Sequence, residues 1–117
     1  MAVKFNFYNK ELIIYPASYS NNNNLALLLR REDEDEEDYY GVVSVNTYMP
    51  LPNNMAAIKD YSENEGILKA LIEQGIVEKT TSYISSGYVD IPVVKVKHQE
   101  LLEEIKKYYD ANNLESN

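Results

Sequence analysis

Seven consecutive acidic residues, Glu32, Asp33, Glu34, Asp35, Glu36, Glu37 and Asp38, restrict this chain more than any other stretch. Each unpaired charge would lose several kcal/mol of solvation on burial, so the run cannot enter a core. It must form a projecting, solvated hairpin tip or a disordered loop. Leu25 to Arg31 before it and Tyr39 to Thr47 after it are β-like runs, which the acids then join. The chain has 19 acidic and 11 basic residues; without the seven, 12 acids face 11 bases, so nearly all of the net charge of −8 belongs to this one loop. A protein mimicking a DNA duplex would spread its acids along a face, and here they are gathered at one end.

The remaining pattern is strands and two helices. Val3, Phe5 and Phe7 alternate with Lys4, Asn6 and Tyr8, the period-two signature of a half-buried strand, and a turn at Asn9, Lys10 and Glu11 leads into Leu12 to Tyr15. Pro16 is expected to end that second strand. Ser20 through Asn24 reads as an exposed, turn-forming loop without core residues, Tyr48 to Asn54 as an irregular connection, and Met55 to Lys59 as a short strand. Ser62 and Glu65 have the capping-box spacing that begins a helix, Ile67, Leu68, Leu71 and Ile72 share one helical face, and Gly75 can take the left-handed conformation that ends it. A hairpin is expected from Ile76 to Val96 around Ser85, Ser86 and Gly87. Pro92 there cannot donate to a ladder, which requires an edge position or a bulge. Leu101, Leu102, Ile105, Tyr108 and Tyr109 line one face of a second helix, and fraying is expected from Asp110 onward.

The expected fold is therefore α+β: a mostly antiparallel sheet of about five to seven strands with two amphipathic helices packed on one face. Residues 1–110 form a single domain with the acidic tip at 32–38, and 111–117 form a frayed tail. The N-terminus has no apolar run resembling a signal peptide, and no segment is long and apolar enough to cross a bilayer, so a cytoplasmic location is expected.

Composition narrows the chemistry. Without cysteine there are no disulfides and no thiolate metal sites, and with His98 as the only histidine a zinc centre has too few ligands. His98 stands where a strand passes into the last helix, a place for a cap. The four glycines are isolated, so no phosphate-cradling loop exists, and no G-x-S-x-G serine is present. The acidic run lacks the spaced ligands and glycine turn of a calcium loop. No cofactor is expected, and no basic patch favours direct nucleic-acid binding. Eleven tyrosines stand against two phenylalanines and no tryptophan, which fits either a thin core close to the surface or a tyrosine-rich contact face.

Ser44-Val45-Asn46, Leu51-Pro52, Ala57-Ile58, Asp60, Glu63-Asn64, Gly75-Ile76-Val77, Ser86-Gly87-Tyr88-Val89 and Pro92-Val93-Val94 together resemble a family of short bacterial proteins, domain-of-unknown-function family 4313. The resemblance covers roughly residues 40 to 96. It implies an accessory protein of conjugative or other mobile elements and carries no catalytic residues. The long acidic run and the helix after Lys97 depart from the family pattern.

Three functions are open at this point. The leading one is a non-enzymatic protein that presents Glu32 to Asp38, with Tyr39, Tyr40, Tyr83 and Tyr88, to a partner protein with a basic surface, such as the nucleic-acid channel of a host nuclease or restriction complex. The second is a structural or regulatory module in which the acids only confer solubility and Tyr108 and Tyr109 form a homodimer or bind an element-encoded partner. A small hydrolase or metal-dependent enzyme is the third, without residues to carry it.

Overall fold

Residues 3–31 and 39–115 are described by the computed structural model. The first hairpin forms as its alternation requires: β1 (Val3–Phe7) pairs antiparallel with β2 (Lys10–Ser18). Its turn is Tyr8-Asn9, both left-handed at φ 49° and 61°, the two-residue geometry whose twist suits a hairpin. β2 then pairs with β3 (Leu25–Arg31), and β3 with β4 (Tyr39–Val42).

Pro16 does not end β2; it stands opposite Leu27 inside the pairing. The N–H of Leu27 donates to Ser44 Oγ and its C=O accepts from Val43, so the Leu27 backbone faces away from β2 and Pro16 owes it no hydrogen bond.

A single sheet of five to seven strands is corrected to two four-stranded sheets, ordered β1-β2-β3-β4 and β5-β6-β8-β7. The run from Tyr39 to Thr47 crosses between them. After β4 the Val43 N–H donates to Leu27 O while its C=O accepts from Lys59, so one residue belongs to the hydrogen bonding of both layers. β5 (Ser44–Val45) then pairs with β6 (Met55–Ile58), and β8 (Val89–Val96) fits between β6 and β7 (Val77–Ser86). β8 is flanked on both sides only from Val93 to Lys95, so Pro92, paired with Tyr83, has no β6 partner and takes the edge alternative; beside it β7 bulges between Lys79 and Tyr83, where Thr80 Oγ1 donates to Val93 O at 2.7 Å.

The main core fills the space between the sheets, with Phe5, Leu12, Leu27, Ile58, Val94 and Leu101 among its buried members. The helices do not share one sheet face. α1 (Ile67–Glu73) touches β1 of one sheet and β7 of the other, and α2 (Gln99–Ala111) packs on β2. A smaller cluster of Ala57, Ile84, Ile91 and Val93 covers the other face of the second sheet.

The capping box also needs correction. Ser62 begins only a single 3-10 turn (Ser62–Asn64), itself at φ 58°, and Gly66 at φ 90° separates that turn from α1. The cap comes from Asp60, whose Oδ1 accepts from Gly66 N and Leu68 N at 3.1 and 3.0 Å. At the other end Gly75 (φ 74°) closes α1 with Ile76 N donating to Leu71 O, the Schellman arrangement. α2 ends the same way, with Asn113 (φ 54°) in the glycine's place and Leu114 N donating to Tyr109 O. The helix therefore runs one residue past Asp110, and Leu114 beyond it packs against the core.

The tyrosines divide between surface and interior, with Tyr15, Tyr19, Tyr40 and Tyr108 half-buried. Tyr109 is buried in the main core, whereas Tyr8, Tyr48, Tyr61, Tyr83 and Tyr88 are exposed.

Candidate functional site

The seven acids lie outside the described residues; their anchors do not. Arg30 pairs with Tyr39, so the run leaves and re-enters at neighbouring strand ends. The two positions that flank the run in the chain, Arg31 and Tyr39, thus both lie at one end of the first sheet.

At that end the β3–β4 register slips by one residue. Leu29 pairs with Gly41 and Arg30 with Tyr39, so Tyr40 is the extra residue of a bulge, a device that re-aims a side chain. Its ring meets two cations: Lys10 Nζ lies 5.1 Å and Arg31 Cζ 5.7 Å from its centre. Pairing of β1 with β2, and of β2 with β3, brings Phe7, Lys10 and Arg31 to the same end. Beside Tyr40 opens a recess of about 390 Å³, walled by Phe7, Tyr8 and Val42 and bordered by Lys59, Glu63 and Asn64. The buried Asn64 amide donates to Val42 O, joining the 3-10 turn to the outer edge of β4.

Glu63 is the one acid at this recess with a displaced titration. A charged hydrogen bond from Lys59, supported by its own backbone N–H and Ser62, pulls its carboxyl down to about 2, so it stays ionised across the physiological range.

The tyrosines expected to act together are split between the sheets. Tyr39 and Tyr40 belong to β4, whereas Tyr83 and Tyr88 lie on the β7–β8 hairpin of the second sheet. β6 pairs with β8 only from Val93 to Lys95, so the hairpin beyond Pro92 runs on without a third strand. Tyr83 is 51% exposed with Lys79 Nζ 5.4 Å from its ring, and Tyr88 is fully exposed next to Gly87 at the turn.

The remaining candidates are structural. His98 caps α2, its Nδ1 accepting from Leu101 N at 3.4 Å. The Tyr109 hydroxyl donates to Asn23 O at 2.6 Å, and the half-buried Tyr108 exchanges a hydrogen bond with Ser18. Tyr109 is thus spent inside the fold rather than offered to a second subunit, and burial raises its hydroxyl to about 12, with help from Tyr108. Among the described residues no group of three His, Asp or Glu side chains converges to hold a metal, and no helix is long and apolar enough to cross a membrane.

Sequence reasoning missed Lys10, Tyr8 and Asn64 as neighbours of Tyr40. The turn position of Tyr8-Asn9 was one residue away from the expected one, which hid the two residues that project from the hairpin.

The chain matches no family model, no curated protein and no solved structure.

Proposed function

We propose that this chain is a non-enzymatic binding protein that offers a concentrated acidic surface to the basic, nucleic-acid-binding face of another protein. The observation that supports this most is the tethering of all seven acids between Arg31 and Tyr39, at a sheet end that already presents an aromatic recess. Beside that connection the Tyr40 ring, half-buried against the core and flanked by Lys10 and Arg31, gives the same sheet end an aromatic surface as well as the charge. Concentrated charge of one sign speeds encounter with a complementary surface and discriminates against wrong partners.

In a cell, the natural target is a nuclease or restriction complex, which the protein would occupy as an accessory product of a mobile element. That setting rests on the family resemblance. Tyr83 and Tyr88 form a second contact on the projecting hairpin of the other sheet.

The experiment is affinity capture from a bacterial lysate with the wild type and with a variant carrying Ser and Asn across residues 32–38, at low and moderate salt. A basic nucleic-acid-binding protein retained only by the wild type, and released by salt, supports the reading. Retention of the same partner by both versions would move the contact to the β7–β8 hairpin.

A further inference from the structure

The rings at the end of the first hairpin border a second concavity. On the α1 side of Tyr8 lies an open groove of about 620 Å³, which shares Phe7 and Tyr8 with the Tyr40 recess. We infer that this groove is where an extended, lysine- or arginine-bearing segment of the partner binds, with Tyr8 as its aromatic platform. The inference rests on the basic-partner reading above and places the partner's chain on residues outside the acidic run.

Tyr8 is an unusual occupant of its position. A left-handed turn residue is ordinarily Asn, Asp or Gly, and a bulky side chain at φ 49° is disfavoured. Its ring packs on Phe7 at 4.3 Å and its hydroxyl donates to Glu65 O at 2.7 Å, yet 67% of the residue stays exposed. One face of a fixed aromatic ring is therefore presented to solvent.

Charge selects what meets it. Glu11, Glu65 and Glu73 border the groove, and no lysine or arginine is among its lining residues, although Lys69 Nζ approaches Glu73 to 3.8 Å across the exposed surface of α1. Around Tyr40 the opposite holds, because Lys10 and Arg31 already occupy its surroundings. An incoming cation is thus directed to the Tyr8 side, where a ring face and carboxylates offer the two interactions a lysine or arginine side chain makes best.

Addition of a strand to β1 is blocked at this edge. Asn6 N donates to Gln74 Oε1 at 2.9 Å and Gln74 Nε2 donates to Asn6 O at 2.7 Å, so the outward backbone groups of Asn6 are occupied. Recognition here runs through side chains.

The test is titration of fluorescent oligolysine and oligoarginine peptides, with oligoglutamate as control, followed by amide chemical shifts. Perturbations should centre on Tyr8, Glu65 and Glu73. Tyr8→Asn suits the turn better, which offsets the lost packing on Phe7 and hydrogen bond to Glu65 O, so the melting temperature should move little while peptide affinity weakens about 3- to 10-fold. Glu65→Gln with Glu73→Gln should weaken it by a similar factor and reduce its salt dependence. Loss of binding in the variant neutralised at 32–38, with no effect of the Tyr8 or Glu65/Glu73 changes, would overturn the groove and leave the acidic run as the whole site. Loss in the groove variants with the neutralised run still binding would keep the groove and defeat the proposed role of the run. Shifts confined to β7–β8, or equal binding of oligoglutamate, would overturn the groove as a basic-segment site.

Discussion

β3 runs between two polar tracts, and its ends could hardly be more different. Before it, Asn22 to Asn24 build a hydrogen-bonded clamp: Asn24, 3% exposed, donates from Nδ2 to Thr47 Oγ1 and Met49 O and accepts from Leu51 N at Oδ1. Asn22 reaches Thr47 O, and Asn46 reaches back to Asn21. After it in the sequence come seven acids. An amide carries donors and an acceptor and no charge, so it can replace water with backbone partners when buried. A carboxylate accepts only and must keep its solvation or find a cation. The asparagines thus join β2–β3 to the second sheet's connecting loop, a task for which the acids are chemically unsuited, and the proposed function gives the acids to a partner instead.

The sharpest way to break this comparison is Asn24→Asp, which gives the buried end the chemistry of the exposed one. It removes both Nδ2 donors and buries a charge, and should cost about 3 kcal/mol or more at neutral pH. Burial raises a carboxyl's pKa, so the folded variant binds its proton more tightly than the unfolded chain, and the loss should shrink as pH falls. Denaturant titrations at pH 7 and pH 4 check both statements; a cost below about 0.5 kcal/mol at pH 7 would show that the clamp is not structural.

Tyr109→Phe probes the same end more gently. It removes the hydrogen bond to Asn23 O and should cost about 1 kcal/mol. The wild-type hydroxyl is raised from 10.0 to about 12, so its contribution is complete below pH 10 and disappears as pH rises to 12. The alkaline limb of a stability-against-pH curve should be shallower in the variant, and identical limbs would contradict this origin.

A single carboxylate with a structural task sharpens the contrast with the seven. Asp60→Ala should cost about 1 kcal/mol through loss of the α1 cap, whereas Ser62→Ala should stay within about 0.5 kcal/mol, because Ser62 caps no helix. Equal costs in thermal unfolding would restore the capping box.

These same residues mark what the sequence could disclose. The α+β class, the antiparallel hairpins, the Gly75 stop and the buried face of α2 follow from periodicity and from glycine's freedom, all of which are local, whereas on α1 Ile67 and Leu71 are buried as expected and Ile72 is exposed. The split into two sheets depends on Val43 bonding to both layers, a long-range choice with no local signature. The asparagine tract is the turn-forming loop expected, but Asn24 within it is buried, because hydropathy cannot distinguish an amide with buried partners from one in water. Asn113 concealed the second Schellman end by standing where glycine is usual. At the candidate site, the acids were evident from composition, whereas the aim of Tyr40 came from a bulge and the platform at Tyr8 from a turn placed one residue earlier than expected.

The most direct measurement is the affinity of the captured basic partner for the wild type and for the variant neutralised across residues 32–38, titrated over a range of salt. The neutralised protein should unfold at the same denaturant concentration as the wild type or a higher one, since seven mutually repelling charges have gone, and should lose most of its affinity together with most of the salt slope. Equal affinity and equal slope in the two proteins would contradict the assignment of binding to the acidic end of β3.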